Sequence, residues 1–280
     1  MAHAAPRGSR ASAASCHSRA FGISPRSPMN LPDYFSARAV HYAAHRPDYP
    51  PELFDFVAGL VARHDLVWDC GTGSGQAAVA LAERFARVVG TDASAAQIER
   101  ARAHPRVEYR VATAESSGLP DHSVDVVTVA QALHWFDLDR FYAEARRVAA
   151  PGGALAVWSY GDPVLDDPAL DAVLARFNFG TLAAYWPSER RAVGEGYLEF
   201  PFPFAEVKAP RLAMERSWTL AELAGYMRSW SGVARYVSLT GQDPVPAVEA
   251  ALAGAGWSEP ERRHLVRWPL FVRAGHARPR

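Results

Sequence analysis

Cysteine is scarce in this chain: 280 residues carry two, Cys16 and Cys70. A disulfide between them would serve no evident purpose, so a reducing compartment, the cytoplasm, is the expected location. Excess charge of either sign is missing too, since Lys and Arg total 30 and Asp and Glu total 30. No global field therefore favours nucleic acid or an anionic membrane, although a local basic patch stays open. No apolar run approaches the ~20 residues that a membrane span requires. His134, Asp137 and Asp139 form no recognised ligand spacing, and no metal is expected. What is present is a hydrophobic share of 49%, enough for a real core, with 21% charged residues for the surface. The length suits one domain carrying a sizeable insertion.

The first 28 residues differ from the rest. They hold Arg7, Arg10, Arg19 and Arg26, many Ala and Ser, and no acid before Asp33. Such a segment buries too little apolar surface to fold alone. A disordered tail, or translated upstream sequence with the start at Met29, is preferred here to an organellar transit peptide of similar composition.

Residues 66 to 76, Leu-Val-Trp-Asp-Cys-Gly-Thr-Gly-Ser-Gly-Gln, are the most informative stretch. An apolar run ends at Asp69 and passes into a loop with Gly71, Gly73 and Gly75; a helical segment from Ala77 to Arg84 follows. Strand, glycine turn and helix in that order build a nucleotide-type pocket at the carboxyl edge of a parallel sheet. The glycines let backbone approach a ligand where a Cβ would collide. A dinucleotide fingerprint is lacking, because the third glycine comes one position early and Gln76 stands where glycine is needed. No Lys-Ser or Lys-Thr pair follows, which removes a Walker phosphate cradle. A carboxylate beside the turn would repel phosphate and suits an ammonium. S-adenosylmethionine carries an ammonium and a sulfonium and no phosphate.

Downstream, apolar runs alternate with helical patterns. A helix opens at Pro50-Pro51. Strands are predicted at 66–70, 87–91, 107–111, 124–130 and 154–160, the last entered through a Pro151-Gly152-Gly153 turn. Helices are predicted from Ser94 to about Ala103, with a capping box at Ser94 and Gln97, and from about Leu138 to Val148. This alternation implies a doubly wound parallel sheet. Beyond Tyr160 the pattern turns irregular, with a strand near 204–218, a capping box at Thr219 and Glu222, and a last strand at 265–273. The expected organisation is a tail over 1–30, an α/β core over 31–162, a helical lid with a late strand over 163–262, and a last strand and tail over 263–280.

Asp92 ends the second strand, where a carboxylate accepts ribose hydroxyls. That signal alone leaves NAD and S-adenosylmethionine both open; Ala93 beside it is a further candidate cofactor contact. Thr113, Ala114 and Glu115 follow the third strand and would meet the adenine edge. Ala130 and Gln131 close the fourth strand and would floor the pocket beside the methionine moiety.

With these blocks in order, the chain resembles the class I S-adenosylmethionine-dependent methyltransferases, and within them the branch that includes trans-aconitate methyltransferase. The resemblance runs from about Phe35 to Arg273. It rests on the segment from Phe35 to Pro50, Asp69-Cys-Gly-Thr-Gly-Ser-Gly75, Gly90-Thr-Asp92, Ala112-Thr-Ala-Glu115 with Leu119-Pro120, Gln131-Ala-Leu-His-Trp135 and Pro151-Gly-Gly153. It implies a mostly parallel seven-stranded Rossmann-like sheet with a partly helical lid inserted after the fifth strand. It further implies that Asp69, Gly71, Thr72, Gly73, Gly75 and Gln76 line the methionine part of the cofactor, and that Ala114 presents its amide to adenine. Relatives often have a carboxylate where Thr113 stands. Tyr42 and Arg46 would fold over the cofactor, Arg46 pairing with its carboxylate.

The implied reaction is in-line methyl transfer to a small molecule, on the oxygen of a carboxylic acid or a hydroxyl, driven by alignment and exclusion of water. His134 is the candidate base at the methyl end; a histidine hydrogen-bonded at a strand end is the competing reading. Trp135, Trp186 and Trp230 are candidate acceptor contacts, with Arg228 and Arg235 as cations for a carboxylate acceptor. A non-catalytic cofactor-binding partner or sensor, or a nucleotide-dependent oxidoreductase, are the alternatives to an enzyme of this class.

Overall fold

A computed structural model of the protein describes residues 1, 47–188 and 190–277. The expectations for the N-terminal tail and for Tyr42 and Arg46 lie outside the described residues. The chain divides into two compact units, Met1–Tyr34 and Phe35–Arg280, and all elements described belong to the second.

Helix α1 spans Pro51–Gly59. Proline at its first position costs nothing, since that N–H has no partner inside a helix anyway. It buries Leu53, Phe54 and Val57. The elements β1 (Leu66–Cys70), α2 (Gln76–Leu81), β2 (Arg87–Asp92), α3 (Ala95–Glu99) and β3 (Val107–Val111) follow, then β4 (Val124–Ala130), α4 (Leu138–Val148) and β5 (Ala149–Tyr160). The neighbours β3, β2, β1, β4 and β5 pair in parallel. β1 and β4 have sheet on both edges and cover on both faces, which is why they read as continuous apolar runs. Chain order reverses at β1, whose neighbours are β2 and β4. The carboxyl ends of β1 and β4 therefore flank the topological switch point, where α/β sheets bind ligands.

The remainder is β6 (Val164–Leu165), α5 (Pro168–Arg176), α6 (Arg190–Gly194), β7 (Ala205–Val207), β8 (Leu212–Trp218), α7 (Leu220–Arg228), α8 (Ser231–Thr240), α9 (Val245–Gly254) and β9 (His264–His276). β9 runs antiparallel to β5 and continues the sheet to β6, so the main path has seven strands in the order β3-β2-β1-β4-β5-β9-β6. Two more, β7 and β8, pair with β9 and bring the described sheet to nine. The single strand expected over 204–218 is thus two. Pro210, which has no N–H to give a ladder, stands between them.

Two other boundaries differ from expectation. The Pro151-Gly152-Gly153 turn is an irregularity inside β5: pairing shifts register between Val124–Ala149 and Val126–Ala154, and Gly152 takes φ 78°. The helix expected to reach Ala103 stops at Glu99. Beyond it, the Arg102 N–H donates to Ser74 O and Arg102 O accepts from the Tyr109 hydroxyl, so the chain is held to the glycine loop.

One face of the sheet and the lid helices share a core. Val67, Val126 and Trp158 belong to the same buried cluster as Trp218, Met227, Trp230 and Leu252. The capping box at α7 forms as its sequence implies, with Thr219 and Glu222 satisfying each other's backbone N–H.

Candidate active site

The glycine loop is set by backbone conformations that only glycine adopts without strain. Gly71, Gly73 and Gly75 have φ of 70°, 53° and 77°. A Cβ on Gly71 would lie 2.6 Å from Ala132 Cβ, so this glycine lets the loop pack on the segment after β4. Gly73 differs: no atom of the described residues lies within 4 Å of where its Cβ would be. Its Cα faces space that a ligand chain can follow.

Side chains lock the loop. The Thr91 carbonyl accepts from the N–H groups of Gly71 and Thr72 at 2.8 and 2.9 Å. Asp92 accepts from Gly73 N–H at 3.0 Å and from Ser94 N–H at 2.9 Å, so it ties the loop to the start of α3. Asp69 is fully buried, and its two oxygens accept from the hydroxyls of Thr72 at 2.6 Å and Thr128 at 2.8 Å. Burial lifts Asp69 from 3.8 to about 6, against the two hydroxyls and with a small push from Asp92. Burial also drives the Cys70 thiol up, with Asp69, Glu115 and Asp92 adding to the effect. The electrostatic character of this edge is anionic.

The other residues expected at the cofactor lie on the turns beyond β2, β3 and β4 and at the start of α2. Ala114 is buried and Thr113 exposed, in a turn closed by a bridge between Thr113 and Ser116. Glu115 accepts from the Asp137 N–H at 3.0 Å and so links that turn to the cap of α4. Ala93 is exposed beside Asp92. Gln76 is directed elsewhere: its Nε2 donates to Pro47 O at 3.1 Å and to Asp48 Oδ1 at 3.2 Å. Asp48 in turn pairs with Arg216 of β8 at 2.8 Å, so Gln76 fastens the approach segment to both loop and lid. Gln131 follows Ala130 at φ 58°, a strained value for a residue with a side chain, and its buried Nε2 has no hydrogen-bond partner among the described residues.

The lid half is built from distant segments. His134, in the short helical turn Leu133–Trp135, stands 3.0 Å by its Nδ1 from the Tyr197 hydroxyl. Trp135 is exposed, 4.6 Å from the His134 ring. Trp186 and Trp230 lie 5.7 Å apart in an aromatic cluster with Phe177 and Tyr226. The expected cations are placed differently. Arg228 is engaged by Asp243 at 3.0 Å and Glu249 at 2.9 Å, an ion pair that joins α7 to the start of α9. Arg235 is an exposed residue of α8. These two arginines do not join the aromatic cluster.

Arg190 does, and local sequence pattern offered no signal for it. Its Nη2 is shared between Asp162 and Asn178 Oδ1, the latter at 3.0 Å, while the guanidinium lies 3.5 Å over the Trp186 ring. Burial pushes its pKa down, opposed chiefly by Asp162. Asp162 lies two residues beyond the end of β5, and the Ser159 hydroxyl within that strand's end donates to Val193 O at 2.8 Å. Residues 190–197 are therefore pinned to the carboxyl edge at the end of β5.

A doubly wound sheet with a glycine-lined loop beside a buried carboxylate at its switch point is the arrangement of a Rossmann-like α/β enzyme. Among the described residues, the uncrowded Gly73 and the unpartnered Gln131 Nε2 fit S-adenosylmethionine. Comparisons agree. The family described as methyltransferase domain matches residues 68–157. A Dictyostelium discoideum protein named as a methyltransferase is 34% identical over 231 residues, 81% of this chain and 88% of that one. An uncharacterised methyltransferase of Mycobacterium tuberculosis is 40% identical over 130 residues, 46% of this chain and 53% of its own. A solved structure from Anaeromyxobacter dehalogenans, described as a type II methyltransferase, is 48% identical, with a TM-score of 0.80 over 84% of this chain and 99% of that one. The chain belongs to the S-adenosylmethionine-dependent methyltransferase family.

Among the described residues no helix is long and apolar enough to cross a membrane.

Proposed function

We propose that the enzyme methylates a small molecule on oxygen, a carboxylate or a hydroxyl, at the carboxyl edges of β4 and β5 beneath the lid. The observation that carries this reading is the closure of residues 190–197 on that edge through Arg190–Asp162, Ser159–Val193 and Tyr197–His134. A segment fastened over that edge supports a small-molecule acceptor. When bound, S-adenosylmethionine supplies an electrophilic methyl on a sulfonium.

The protein's own residues then have separable tasks. Gly71 and Gly73 shape the backbone for the methionine part, and Asp69, through Thr72, holds that shape. Asp92 stands where ribose hydroxyls compete for its oxygens, and Ala114 with Glu115 borders the adenine. Trp186 and Trp230 exclude water and give flat faces to the acceptor. Arg190 supplies the cation that the sequence had assigned to Arg228 or Arg235. The Gln131-Ala-Leu-His-Trp135 block keeps the likeness to the trans-aconitate methyltransferase branch. Buried, unpaired Cys70 suits a cytoplasmic location.

The test has two parts. Calorimetry with S-adenosylhomocysteine should show binding that Asp69→Ala weakens at least about tenfold, since hydrogen bonds to a charged group carry roughly 1.5–3 kcal/mol. Radiolabelled methyl should pass to a pool of small acids or phenols. Transfer to protein or nucleic acid instead, or no transfer at all, would remove the proposal.

A further inference from the structure

The connection from β3 to β4 contains the turn that borders adenine in the reading above. Among the described residues, the hydrogen bonds that leave residues 113–119 all end on α4 or its cap. At one end of the turn the Asp137 N–H donates to Glu115 Oε1 at 3.0 Å. At the other, Glu144 Oε1 accepts from the Ser117 N–H at 2.8 Å and from the Ser117 hydroxyl at 2.6 Å. Arg147 closes that corner. Its Nη2 donates to Glu144 Oε1 and to Leu119 O, both at 2.8 Å, and its Nε donates to Glu144 Oε2 at 2.8 Å. Ser117 and Glu144 are buried, and Ala114 and Leu119 belong to the same buried cluster as Phe141, Ala145 and Val148 of α4.

The two anchors differ in polarity. α4 offers an N–H at Asp137 and a carboxylate at Glu144; the turn answers with a carboxylate at Glu115 and with N–H and O–H groups at Ser117. A turn displaced along the helix would bring the Glu115 carboxylate toward that of Glu144, and like charges would oppose the shift. Asp137 precedes Glu144 by about two helical turns, or about 10 Å, so a rigid element fixes both the place and the register of the turn. Burial would raise the Glu144 carboxyl, but Arg147 and Ser117 overcome it and hold it at about 2. That precision has a chemical use. Adenine shows a donor at its amino group and an acceptor at N1, whereas hypoxanthine shows an acceptor at O6 and a donor at N1. Backbone N–H and C=O groups take their direction from the chain, so the place of the turn decides which base they suit.

We propose that Glu144 is a positioning residue for the cofactor's base: through Ser117 it holds the 113–119 turn where backbone groups pair with adenine and reject hypoxanthine. This rests on the reading that Ala114 and Glu115 border the adenine, and adds to it the residue that sets base specificity. Glutamine at position 144 would keep the size and shape of the side chain. Arg147 donates to both carboxylate oxygens of Glu144. In either orientation the amide of Glu144→Gln would therefore turn an N–H₂ group on a guanidinium N–H, donor against donor. Arg147 and the turn could not both keep their places.

Calorimetry of the full chain with S-adenosylhomocysteine and S-inosylhomocysteine, which differ only at the purine edge, tests this. The wild type should prefer the adenosyl compound by about tenfold, in line with one mispaired buried hydrogen bond. Glu144→Gln should lose about tenfold toward S-adenosylhomocysteine and less than about twofold toward S-inosylhomocysteine, so that the preference disappears. A loss shared equally by the two compounds would make Glu144 a general prop of the fold and overturn the proposal. A preference missing in the wild type, or kept in full by Glu144→Gln, would overturn it too. Ser117→Ala removes the hydroxyl contact and keeps the N–H; it should shift the preference the same way by a smaller factor, and it decides the matter if Glu144→Gln does not fold. Wild type that does not bind S-adenosylhomocysteine would remove the cofactor reading and this inference with it. Binding with an unmoved preference would remove this inference alone.

Discussion

The two halves of the site are made by different means. The loop half, from Asp69 to Glu115, is a matter of backbone: three left-handed glycines, a carbonyl at Thr91 and two aspartates that accept N–H or O–H groups. The lid half, from Asp162 to Tyr197, is a matter of side chains meeting across the fold: a guanidinium on an indole, a phenol on an imidazole. The first takes its shape from conformations that a short motif imposes. The second depends on single side chains, and replacing one of them leaves the sheet beneath intact. Cofactor and acceptor recognition should therefore be separable by mutation.

The largest expected effect is on the loop side. Asp69 rises from 3.8 to about 6 on folding because it is buried. The native chain then holds a proton that the unfolded chain has released. Stability from this group is complete below the unfolded value and is lost as pH rises through about 6. A shift of about two units corresponds to about 3 kcal/mol. Urea denaturation should show Asp69→Asn gaining that amount relative to wild type between the acid side of this window and pH ~7. A pH-independent difference would break the picture of a buried carboxylate organising the loop.

Next comes the lid. Arg190→Ala strips Asp162 and Asn178 of a partly buried partner and removes the cation over Trp186. Acceptor kcat/KM should fall about a hundredfold, in keeping with the 2–5 kcal/mol typical of truncating such a pair. S-adenosylhomocysteine affinity should hold. Equal losses in both would mean that the two halves are one unit.

Gly71→Ala should cost about 1–3 kcal/mol in stability, from left-handed strain and the collision with Ala132, and weaken cofactor binding with it. Wild-type melting and affinity in Gly71→Ala would show that the loop tolerates a Cβ. Smallest is Arg228→Ala. Its ion pairs with Asp243 and Glu249 are largely solvent-exposed, so the change in stability should stay within about 1 kcal/mol and turnover should not change. A large loss of acceptor turnover would return Arg228 to the acceptor site.

The strands from β1 to β4, the cap of α7 and the glycine loop were legible because each is written within a few consecutive residues. Periodicity, a capping box and glycine at positive φ are local properties. The unequal fates of the arginines were not legible. Arg228 and Arg190 look alike in sequence, and what separates them is that one meets Asp243 and Glu249 while the other meets Asp162, Asn178 and Trp186. Gln76 shows the same limit: its place in the motif suggested the cofactor, yet its amide reaches back to Pro47 and Asp48. The Pro-Gly-Gly segment read as a turn before β5, and pairing with β4 drew it into the strand as an irregularity.

The sequence by itself therefore determined the parallel sheet, the site at its switch point and a ligand without phosphate, since these follow from period, glycine and one acid beside the loop. Only the tertiary structure decided which side chains meet across the lid. Tyr197 and His134 lie 63 residues apart and Arg190 and Asp162 lie 28 apart. Contacts at such separations come from β9, β5 and the lid packing on one another, and no local pattern encodes them.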